Sequence, residues 1–429
     1  MRVLILGGNG FIGSEICRVL SHGHAVTALA RQPGGAARRM PDTAWLKRDL
    51  SAMQAASDWT LLTDFDIVVN CAGALQDGGR DDVTAVQHGA MVALYEAAAT
   101  AGLTLIVQIS ARIDGPASAL NFLASKRRAD EALSRSGIPF VVIRPAVVIG
   151  RNAYGGSALL RGLAGVPWRT LLVHAAAPMQ FAALDDVAQA VRDAVDGRIV
   201  PGSDFAVAAA ETLTLGEAVA RHRAWLGLPP ARQIEFPALA ARPVAFVADL
   251  LGHLGWRSPL RSTAMEVAAS GVTDNSAAGL SPSGKALKTL AETLADHPAG
   301  VQDLWFARLY LVKPLILGVL SLFWLASGLI ALMRFDQSAA YLGDAIGSRP
   351  VAVAATLATS LADLLLGAGV LIRRLAAPAL IGMVVLSLGY LAAATVLAPG
   401  LWADPLGPLV KVVPSITLAL VALAILYER

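Results

Sequence analysis

The first half of the chain alternates short apolar runs with amphipathic segments. The apolar runs are rich in β-branched side chains and read RVLIL, HAVTALA, DIVVN, LIVQIS and FVVIRPAVV. Between them, segments such as HGAMVALYEAAATAG and SKRRADEALSRSG carry apolar residues at helical spacing. This regular alternation predicts an α/β fold with a doubly wound parallel sheet.

The pattern loses its regularity after residue 228. Two further amphipathic helices, within FAALDDVAQAVRDAVDG and LTLGEAVARHRAWLG, precede a proline-rich stretch that begins LGLPPARQ. The residues that follow are mixed, with a helical tendency. We therefore predict three parts, which are an α/β domain over 1–228, a mixed helical lobe over 229–303, and an all-α domain over 304–429.

The last part of the chain carries four long apolar runs. They lie at Leu309–Met333, Pro350–Ile372, Ala376–Ala398 and Pro408–Tyr427. A helix needs about 20 residues to cross the hydrocarbon core of a bilayer, and each run has that length. The pattern predicts a four-helix transmembrane bundle, with the lipid bilayer as a partner.

The positions of lysine and arginine indicate how these helices are oriented. Basic residues lie beside the first run, in the loop between the second and third runs, and at the chain end; they are Arg308, Lys313, Arg373, Arg374 and Arg429. The loop between the third and fourth runs has none, whereas Arg334 and Arg349 in the first loop run against the trend. Because cytoplasmic loops are enriched in such residues, we expect an inner-membrane protein whose α/β domain and C-terminus face the cytoplasm.

Charge and cysteine content narrow the class of protein. Residues 1–303 hold 27 basic and 27 acidic side chains, so we expect no nucleic-acid partner. Cys17 and Cys71 have no disulfide-framework spacing, and we expect both to be packing residues in a reducing compartment. Since no cluster of histidine or cysteine has metal-ligand spacing, no metal is expected.

A glycine-rich loop, LGGNGFIG, directly follows the first predicted strand and opens the first predicted helix. In such a loop one glycine allows a tight turn, a second allows a pyrophosphate to approach, and a third lets helix and strand pack closely. The free N–H groups of the helix then attract phosphate. The spacing fits both G-x-G-x-x-G and G-x-x-G-x-x-G. The predicted dinucleotide-binding residues are Gly7, Gly8, Asn9, Gly10, Phe11, Ile12 and Gly13.

The residue after the second strand predicts which dinucleotide binds. An acidic residue at this place holds a free ribose hydroxyl, but this chain has Arg31, followed closely by Arg38 and Arg39. A guanidinium suits a 2′-phosphate. We therefore expect NADP(H) to be preferred over NAD(H).

Several further motifs, in matching order and spacing, resemble those of atypical or extended short-chain dehydrogenases/reductases. They are RDL at 48–50, NCAG at 70–73, QIS ending at 110, SK at 125–126, RPAVVIG at 144–150 and LDDVAQAV at 184–191. The resemblance implies a Rossmann domain with Asp49 and Leu50 near the adenine. It also implies Asn70, Ala72, Gly73 and Pro145 beside the cofactor, and Ser110 and Lys126 as catalytic residues.

The sequence departs from that family at one catalytic position. The family pattern is Y-x-x-x-K, but residues 122–126 read FLASK, so phenylalanine stands where the family has its tyrosine. A benzyl ring has no proton to give and cannot act as a general acid. Tyr154, in NAYGG, is an alternative source of a hydroxyl. Branches of the family without this tyrosine include NmrA-like regulators, an accessory subunit of respiratory complex I, and reductases that use lysine alone.

The C-terminal part resembles the DoxX-like family of four-helix membrane domains, on the segment WFARLYLVKPLILGVLSLFWLASGL. DoxX relatives are linked to quinone or thiol redox chemistry. The second apolar run contains Asp363, whose charge is costly in a bilayer. Lys313 is the better of two candidate partners, because Lys411 starts near the opposite boundary. The alternative is a neutral Asp363 bonded to a neighbouring serine or carbonyl.

These observations lead to two hypotheses for function. The first is a membrane-anchored oxidoreductase module that binds NADP(H) and passes hydride to an apolar, quinone-like acceptor. The second is a non-catalytic NAD(P)H sensor or assembly factor, favoured by Phe122. Ser110 and Lys126, which are retained, favour the first.

Overall fold

The computed structural model describes residues 1–429 except 74–75, 80, 113–115, 274–278 and 427–429. The chain divides into two compact units. The first comprises Met1–Gly252 and Ser258–Ala307, and the second comprises His253–Arg257 and Arg308–Arg429.

The first unit contains thirteen strands among its described residues. In chain order they are β1 (Arg2–Leu6), β2 (Ala25–Ala30), β3 (Ala44–Lys47), β4 (Ile67–Asn70), β5 (Leu105–Ile109), β6 (Phe140–Pro145), β7 (Val147–Ile149), β8 (Arg169–Leu172), β9 (Pro178–Met179), β10 (Phe181–Ala183), β11 (Ser203–Val207), β12 (Leu213–Thr214) and β13 (Arg232–Glu235).

The described residues also form fifteen α-helices, besides short 3₁₀ and π-helical turns. They are α1 (Phe11–Leu20), α2 (Gly34–Arg39), α3 (Ala90–Ala101), α4 (Asn121–Arg135), α5 (Gly156–Gly165), α6 (Leu184–Val195), α7 (Leu215–Trp225), α8 (Ala238–His253), α9 (Ser262–Ser270), α10 (Leu290–Ala295), α11 (Val301–Met333), α12 (Phe335–Ile346), α13 (Arg349–Gly369), α14 (Ala376–Leu397) and α15 (Val412–Ala424).

The main sheet has seven parallel strands in the order β11-β6-β5-β4-β1-β2-β3. The strand order reverses direction between β1 and β4, and ligands of such sheets bind at the carboxyl ends of the strands at this point. Leu6 is in register with Asn70, which is in turn in register with Gln108. The predicted Rossmann fold is confirmed. The loops after β1, β4 and β5 all lie at the edge of the sheet formed by the carboxyl ends of its strands.

Alternate residues of β1 pack on opposite faces of the sheet, as expected of a strand covered on both sides. Val3 and Ile5 belong to a core with α1 and α6, whereas Leu4 and Leu6 belong to a core with α3 and α4. All four side chains are fully buried. Burial on two faces explains why the first run is apolar throughout.

A smaller lobe extends the first unit beyond the main sheet. Its core is formed by residues of β7, β10, α5, α7 and α10 together with Ala307 near the start of α11. Within this lobe Arg161 of α5 is buried, donates a hydrogen bond to Asp303 of α11 at 3.3 Å, and stacks 4.8 Å from the ring of Trp225. The first turns of α11 are therefore fixed in the first unit, and the same helix continues into the second.

Among the described residues, three helices are long and apolar enough to span a membrane, namely α11, α13 and α14. The fourth predicted run forms α15, whose 13 residues extend about 20 Å. Tyr427 and Arg429, which belong to the predicted fourth run and chain end, lie outside the described residues. The predicted helical C-terminal region is confirmed and indicates a membrane protein, whereas the count of four spans stays a prediction.

Small residues bring two of these helices close together. A Cβ on Gly328 of α11 would lie 2.6 Å from the Ser360 carbonyl oxygen, and Ser321 Oγ donates to the Gly367 carbonyl at 2.7 Å. Because lipid provides no hydrophobic force between helices, such close backbone contact is what holds membrane helices together.

Candidate cofactor and catalytic site

The loop between β1 and α1 is packed so tightly that three of its residues must be glycine. A Cβ on Gly13 would lie 2.3 Å from the Gly7 carbonyl oxygen, and one on Gly8 would lie 2.6 Å from Cβ of Ala28. Gly7 has φ +73°, where other L-residues are strained, and faces the backbone of Ala72. The loop after β1 is thus closely packed against the loop after β4 at this turn.

The start of α1 fits a dinucleotide phosphate. Gly10 is the N-cap residue of the helix and has no side chain with which to cap the first turn. The N–H groups of Phe11, Ile12 and Gly13 are those that an α-helix leaves without an internal partner. With the glycine loop and the partial positive charge of the helix end, they form a place where a pyrophosphate would bind.

The loop after β4 is held by Asn70, which is buried. Its side-chain oxygen accepts a hydrogen bond from the Ala72 amide at 3.0 Å, and its amide donates to Gln108 of β5 at 2.9 Å. The side chain thereby fixes the path of Ala72 and Gly73 beside the glycine loop. The motif resemblance placed these residues at the cofactor, and the fold brings them to the edge where the glycine loop lies.

Arg31 and Asp49 follow β2 and β3 at the same edge, and both have protein partners. Arg31 Nη2 lies 2.5 Å from Oδ1 of Asp81, a residue that sequence reasoning did not single out. Asp49 caps the short 3₁₀ turn Leu50–Ala52, since its carboxylate accepts hydrogen bonds from the amide and hydroxyl of Ser51. A 2′-phosphate at Arg31 would have to share the guanidinium with Asp81.

Ser110, the first residue after β5, belongs to a buried charged network. Its hydroxyl donates to Asp130 Oδ2 at 2.5 Å and accepts from Arg144 Nη1 at 3.2 Å. The same Nη1 donates to Asp130 at 2.9 Å, and the other guanidinium nitrogens hold Asp204 of β11. Burial raises the pKa of Asp130, while the Ser110 hydrogen bond and the Arg144 charge oppose that shift.

This network restricts what the hydroxyl of Ser110 can do. Its proton is directed to Asp130, and one lone pair is taken by Arg144. The other oxygen of Asp130, Oδ1, is buried without a hydrogen-bond partner among the described residues. Arg144 stands in the RPAVVIG motif, but the pairing with Asp130 follows only from the fold.

Lys126 and Phe122 lie one turn apart on α4. Lys126 is buried and donates from Nζ to the Ile109 carbonyl oxygen at 3.0 Å, and Nζ lies 6.0 Å from the centre of the Phe122 ring. Burial lowers the pKa of Lys126, an effect opposed by the charge of Asp130. A Cβ on Gly73 would lie 3.8 Å from this Nζ. The lysine therefore lies beside the loop after β4, and an apolar ring occupies the tyrosine position.

Neighbouring elements support α4 at this place. Ser125 is fully buried and donates to Gln87 at 3.3 Å, within a π-helical turn, Ala85–Gly89. Such turns occur frequently at functional sites. Pro145 ends β6 at the same edge, and the half-exposed Tyr154 lies in the loop between β7 and α5.

The cysteines behave as packing residues. Cys17 is fully buried in the core under α1, and burial raises its pKa to about 12. Burial also raises the pKa of Cys71 well above its ordinary value. Both thiols stay protonated at neutral pH, and no group of three or more potential metal ligands is present among the described residues.

Asp363 forms a second polar site inside the helix bundle. Its carboxylate accepts hydrogen bonds from Ser327 Oγ of α11 and from the Tyr390 hydroxyl of α14, each at 2.8 Å. Lys313 instead donates from Nζ to the Leu426 carbonyl at 3.0 Å. The hydroxyl-bonded alternative for Asp363 is the one found.

Comparison with known proteins agrees with both halves of this architecture. Residues 7–162 match a family described as NAD(P)H-binding, and residues 321–420 match the DoxX-like family. The chain joins an NAD(P)-binding Rossmann domain to a DoxX-like domain. The predicted NAD(P)-binding domain and the resemblance to the DoxX-like family are thereby confirmed.

Curated relatives match part of the chain. An uncharacterized chloroplastic protein of Arabidopsis thaliana, At1g32220, is 28% identical over 174 residues, which are 39% of this chain and 57% of the relative. The mitochondrial protein fmp52 of Aspergillus fumigatus is 27% identical over 217 residues, which are 47% of this chain and 92% of fmp52. The match thus spans little more than half of the Arabidopsis protein.

Solved structures with the same fold include an epimerase and a further enzyme, both solved with NAD. UDP-glucuronic acid 4-epimerase from Bacillus cereus, solved with NAD, has a TM-score of 0.53 and 16% identity, over 72% of this chain and 100% of the epimerase. WbmG of Bordetella bronchiseptica, also solved with NAD, has a TM-score of 0.52 and 18% identity, over 69% and 92%. At such low identity the likeness establishes the fold.

Proposed function

We propose that the chain is a membrane-anchored oxidoreductase module that binds NADP(H) in preference to NAD(H) and serves an apolar, quinone-like acceptor. The observation that carries this proposal is that a tightly packed glycine loop and a buried lysine lie at the carboxyl end of the sheet without the acid expected beside them. The glycine loop and Lys126 are in place, whereas Phe122 offers no proton.

The residues of the cradle have distinct proposed roles. The first turn of α1 would hold the pyrophosphate, Arg31 the 2′-phosphate, and Lys126, beside Gly73, the nicotinamide ribose. Asn70 keeps the loop after β4 in position. A bound nicotinamide supplies a hydride, which is two electrons and one proton.

The missing acid favours a particular class of acceptor. An aldehyde or ketone needs a proton at its oxygen as the hydride arrives, and neither Phe122 nor Ser110, whose proton is held by Asp130, can give one. A quinone that accepts a hydride forms a stabilised hydroquinone anion, which takes its proton from water. A quinone is also apolar enough to be present at a membrane surface, where the DoxX-like domain holds this module.

One observation supports a different function. The buried pairing of Ser110 with Asp130 and Arg144 leaves a hydroxyl that is bonded on both sides, as expected of a structural residue. On this alternative the domain is a non-catalytic NAD(P)H sensor or assembly factor tethered to the membrane.

The deciding experiment uses the full chain in mild detergent. NADPH binding is measured by fluorescence, and NADPH oxidation is followed with a short-chain quinone and without any acceptor. Gly13→Ala should abolish binding and oxidation, because its Cβ would lie 2.3 Å from the Gly7 carbonyl oxygen. Gly23→Ala is the matched control, since nothing lies within 4 Å of a Cβ there.

The outcomes separate the two functions. Quinone-dependent oxidation that is lost in Gly13→Ala supports the oxidoreductase. Binding without oxidation by any quinone supports the sensor. Absence of nucleotide binding in the wild-type chain refutes both.

We further propose that the protein lies in the inner membrane with four spans, and that the nucleotide-binding domain and the C-terminus are cytoplasmic. Support comes from the basic loop at Arg373 and Arg374 and from the absence of lysine and arginine in the sequence over 399–407, between the third and fourth apolar runs. Single cysteines at Arg374 and Ala403 should react with a membrane-impermeant reagent from opposite sides. Reaction of both from one side refutes the four-span arrangement.

A further inference from the structure

Helix α8 presents an apolar face to its surroundings. The small residues Ala241, Ala245, Ala248 and Gly252 form its buried stripe. On the opposite side Leu239, Phe246 and Leu250 recur at helical spacing and are 69%, 70% and 55% exposed. Val244 and Val247 widen this face.

A face of this kind is unusual on a helix of a soluble unit. An amphipathic helix normally turns its large apolar side chains toward the core and its polar ones outward. Helix α8 has the reverse arrangement, because alanine and glycine pack inward and phenylalanine and leucine point outward. Contiguous exposed apolar surface marks a contact with a partner or a membrane.

The chain that follows α8 indicates which of these covers it. His253–Arg257 belongs to the unit that contains the membrane helices. There the Leu254 carbonyl accepts a hydrogen bond from the Arg373 amide at 3.0 Å, and Trp256 Nε1 donates to the Leu371 carbonyl at 2.7 Å. Leu371 and Arg373 lie in the loop that joins α13 to α14, at the edge of the hydrocarbon region.

The surroundings of Trp256 are those of a membrane–water boundary. The Arg373 guanidinium lies 5.3 Å and the Lys313 ammonium 5.9 Å from its ring. Tryptophan concentrates at this depth, where its ring meets lipid and its N–H remains bonded. Since α8 ends at His253, three residues earlier, chain length alone keeps its end within about 10 Å of that boundary.

We propose that α8 is an interfacial helix, lying in the headgroup region of the bilayer with Leu239, Phe246 and Leu250 inserted. Its 16 residues extend about 24 Å, which gives a long contact. Arg242 and His253 stand beside the apolar face, where basic side chains suit lipid headgroups. The helix would therefore anchor the nucleotide-binding unit to the membrane surface, in addition to the spans.

The test measures depth in lipid, independently of any nucleotide chemistry. The full chain, with Cys17 and Cys71 replaced by alanine, is labelled with an environment-sensitive fluorophore at Phe246→Cys or at Leu250→Cys and reconstituted in vesicles. A matched control carries the label at Arg135→Cys, an exposed position on α4. Labels at exposed positions leave the buried alanine stripe intact.

The two α8 labels should be quenched several-fold more by lipids with a nitroxide on the acyl chain than the control label is. Iodide in the water should quench them several-fold less. Quenching equal to the control would overturn the proposal, because the face would then be solvated. Labels shielded from both quenchers would also overturn it, because protein, such as a second copy of the chain, would then cover the face.

Discussion

The ion pair between Arg31 and Asp81 leads to a quantitative prediction of the affinities for NADPH and NADH. Arg31 Nη2 lies 2.5 Å from Asp81 Oδ1, and the two side chains are 36% and 13% exposed. A 2′-phosphate that shares this guanidinium would come within about 5–6 Å of the carboxylate, one hydrogen bond on each side. The carboxylate would then repel the phosphate that the arginine attracts.

The size of this repulsion follows from Coulomb's law. Two unit charges at such a distance repel by about 0.7 kcal/mol in water and by about 3 kcal/mol at an effective dielectric constant of 20. Because Arg31 is more than one third exposed, the lower part of this range applies, at about 1 kcal/mol. Asp81→Asn should therefore tighten NADPH binding about five-fold and leave NADH binding unchanged.

Removing the arginine should have the opposite and larger effect. Arg31→Ala removes a charge-assisted hydrogen bond worth about 1.5–3 kcal/mol, so the Kd for NADPH should rise roughly 10- to 150-fold. NADH has no 2′-phosphate and should bind as before. The assay is a fluorescence titration of the full chain in detergent with both dinucleotides, and Arg38→Ala in α2 is the exposed arginine control.

Two results would refute this reasoning. Equal losses of NADH and NADPH affinity in Arg31→Ala would mean that the side chain supports the fold of the site without contacting a 2′-phosphate. Weaker NADPH binding in Asp81→Asn would mean that the carboxylate orients the arginine and that its repulsion is negligible.

Three more changes test other parts of the structure. Phe122→Tyr should create reduction of simple aldehydes by NADPH, since it restores a hydroxyl one turn before the lysine; robust reduction by the wild-type chain would show that another acid acts. Burial lowers the pKa of His222 to about 4, so at intermediate pH the unfolded chain binds a proton that the folded chain excludes. The free energy of unfolding should therefore fall by up to about 3 kcal/mol as the pH drops from about 6.5 toward 4. Unfolding by denaturant at several pH values should show a flatter profile in His222→Leu, and an unchanged profile would contradict this assignment. In the membrane domain, Asp363→Asn should be tolerated and Asp363→Leu should lower thermal stability in detergent, because only leucine removes the acceptor of the Ser327 and Tyr390 hydroxyl protons; equal damage by both would indicate that the charge itself is needed.

The strands that the apolar pattern identified and those that it missed differ in their place in the sheet. The five predicted strands occupy its interior, where both faces are covered and the run is apolar throughout. The two that escaped, β3 and β11, are its edge strands. They read AWLK and SDFAV, and several of their residues are half-buried or exposed. A short, partly polar edge strand has no apolar run by which to recognise it.

In the site, features formed by neighbouring residues could be predicted from the sequence, and pairings between distant residues could not. The glycine loop could be predicted because its turn, its phosphate contacts and its helix start all lie within eight consecutive residues. Asp81 and Asp204 could not be predicted, because their partners stand 50 and 60 residues away in the chain. The identity of a charged residue does not indicate which distant residue it pairs with. Asp130 left a weaker sign, an acidic residue one helical turn after Lys126 on the buried side of α4.

The membrane domain shows why distance along a helix is a poor guide to pairing. The axial rise of a helix brings Lys313 within reach of Asp363, yet the lysine bonds to the Leu426 carbonyl near Trp256, and the aspartate bonds to Ser327 and Tyr390. An ammonium drawn into the bundle would lose its water, whereas hydroxyl groups already inside satisfy both carboxyl oxygens without moving a charge. Each side chain therefore bonds to groups that lie at its own level along the helices. Lys313 thus bonds to a backbone carbonyl, and among the described residues the carboxylate of Asp363 accepts from two neutral hydroxyls.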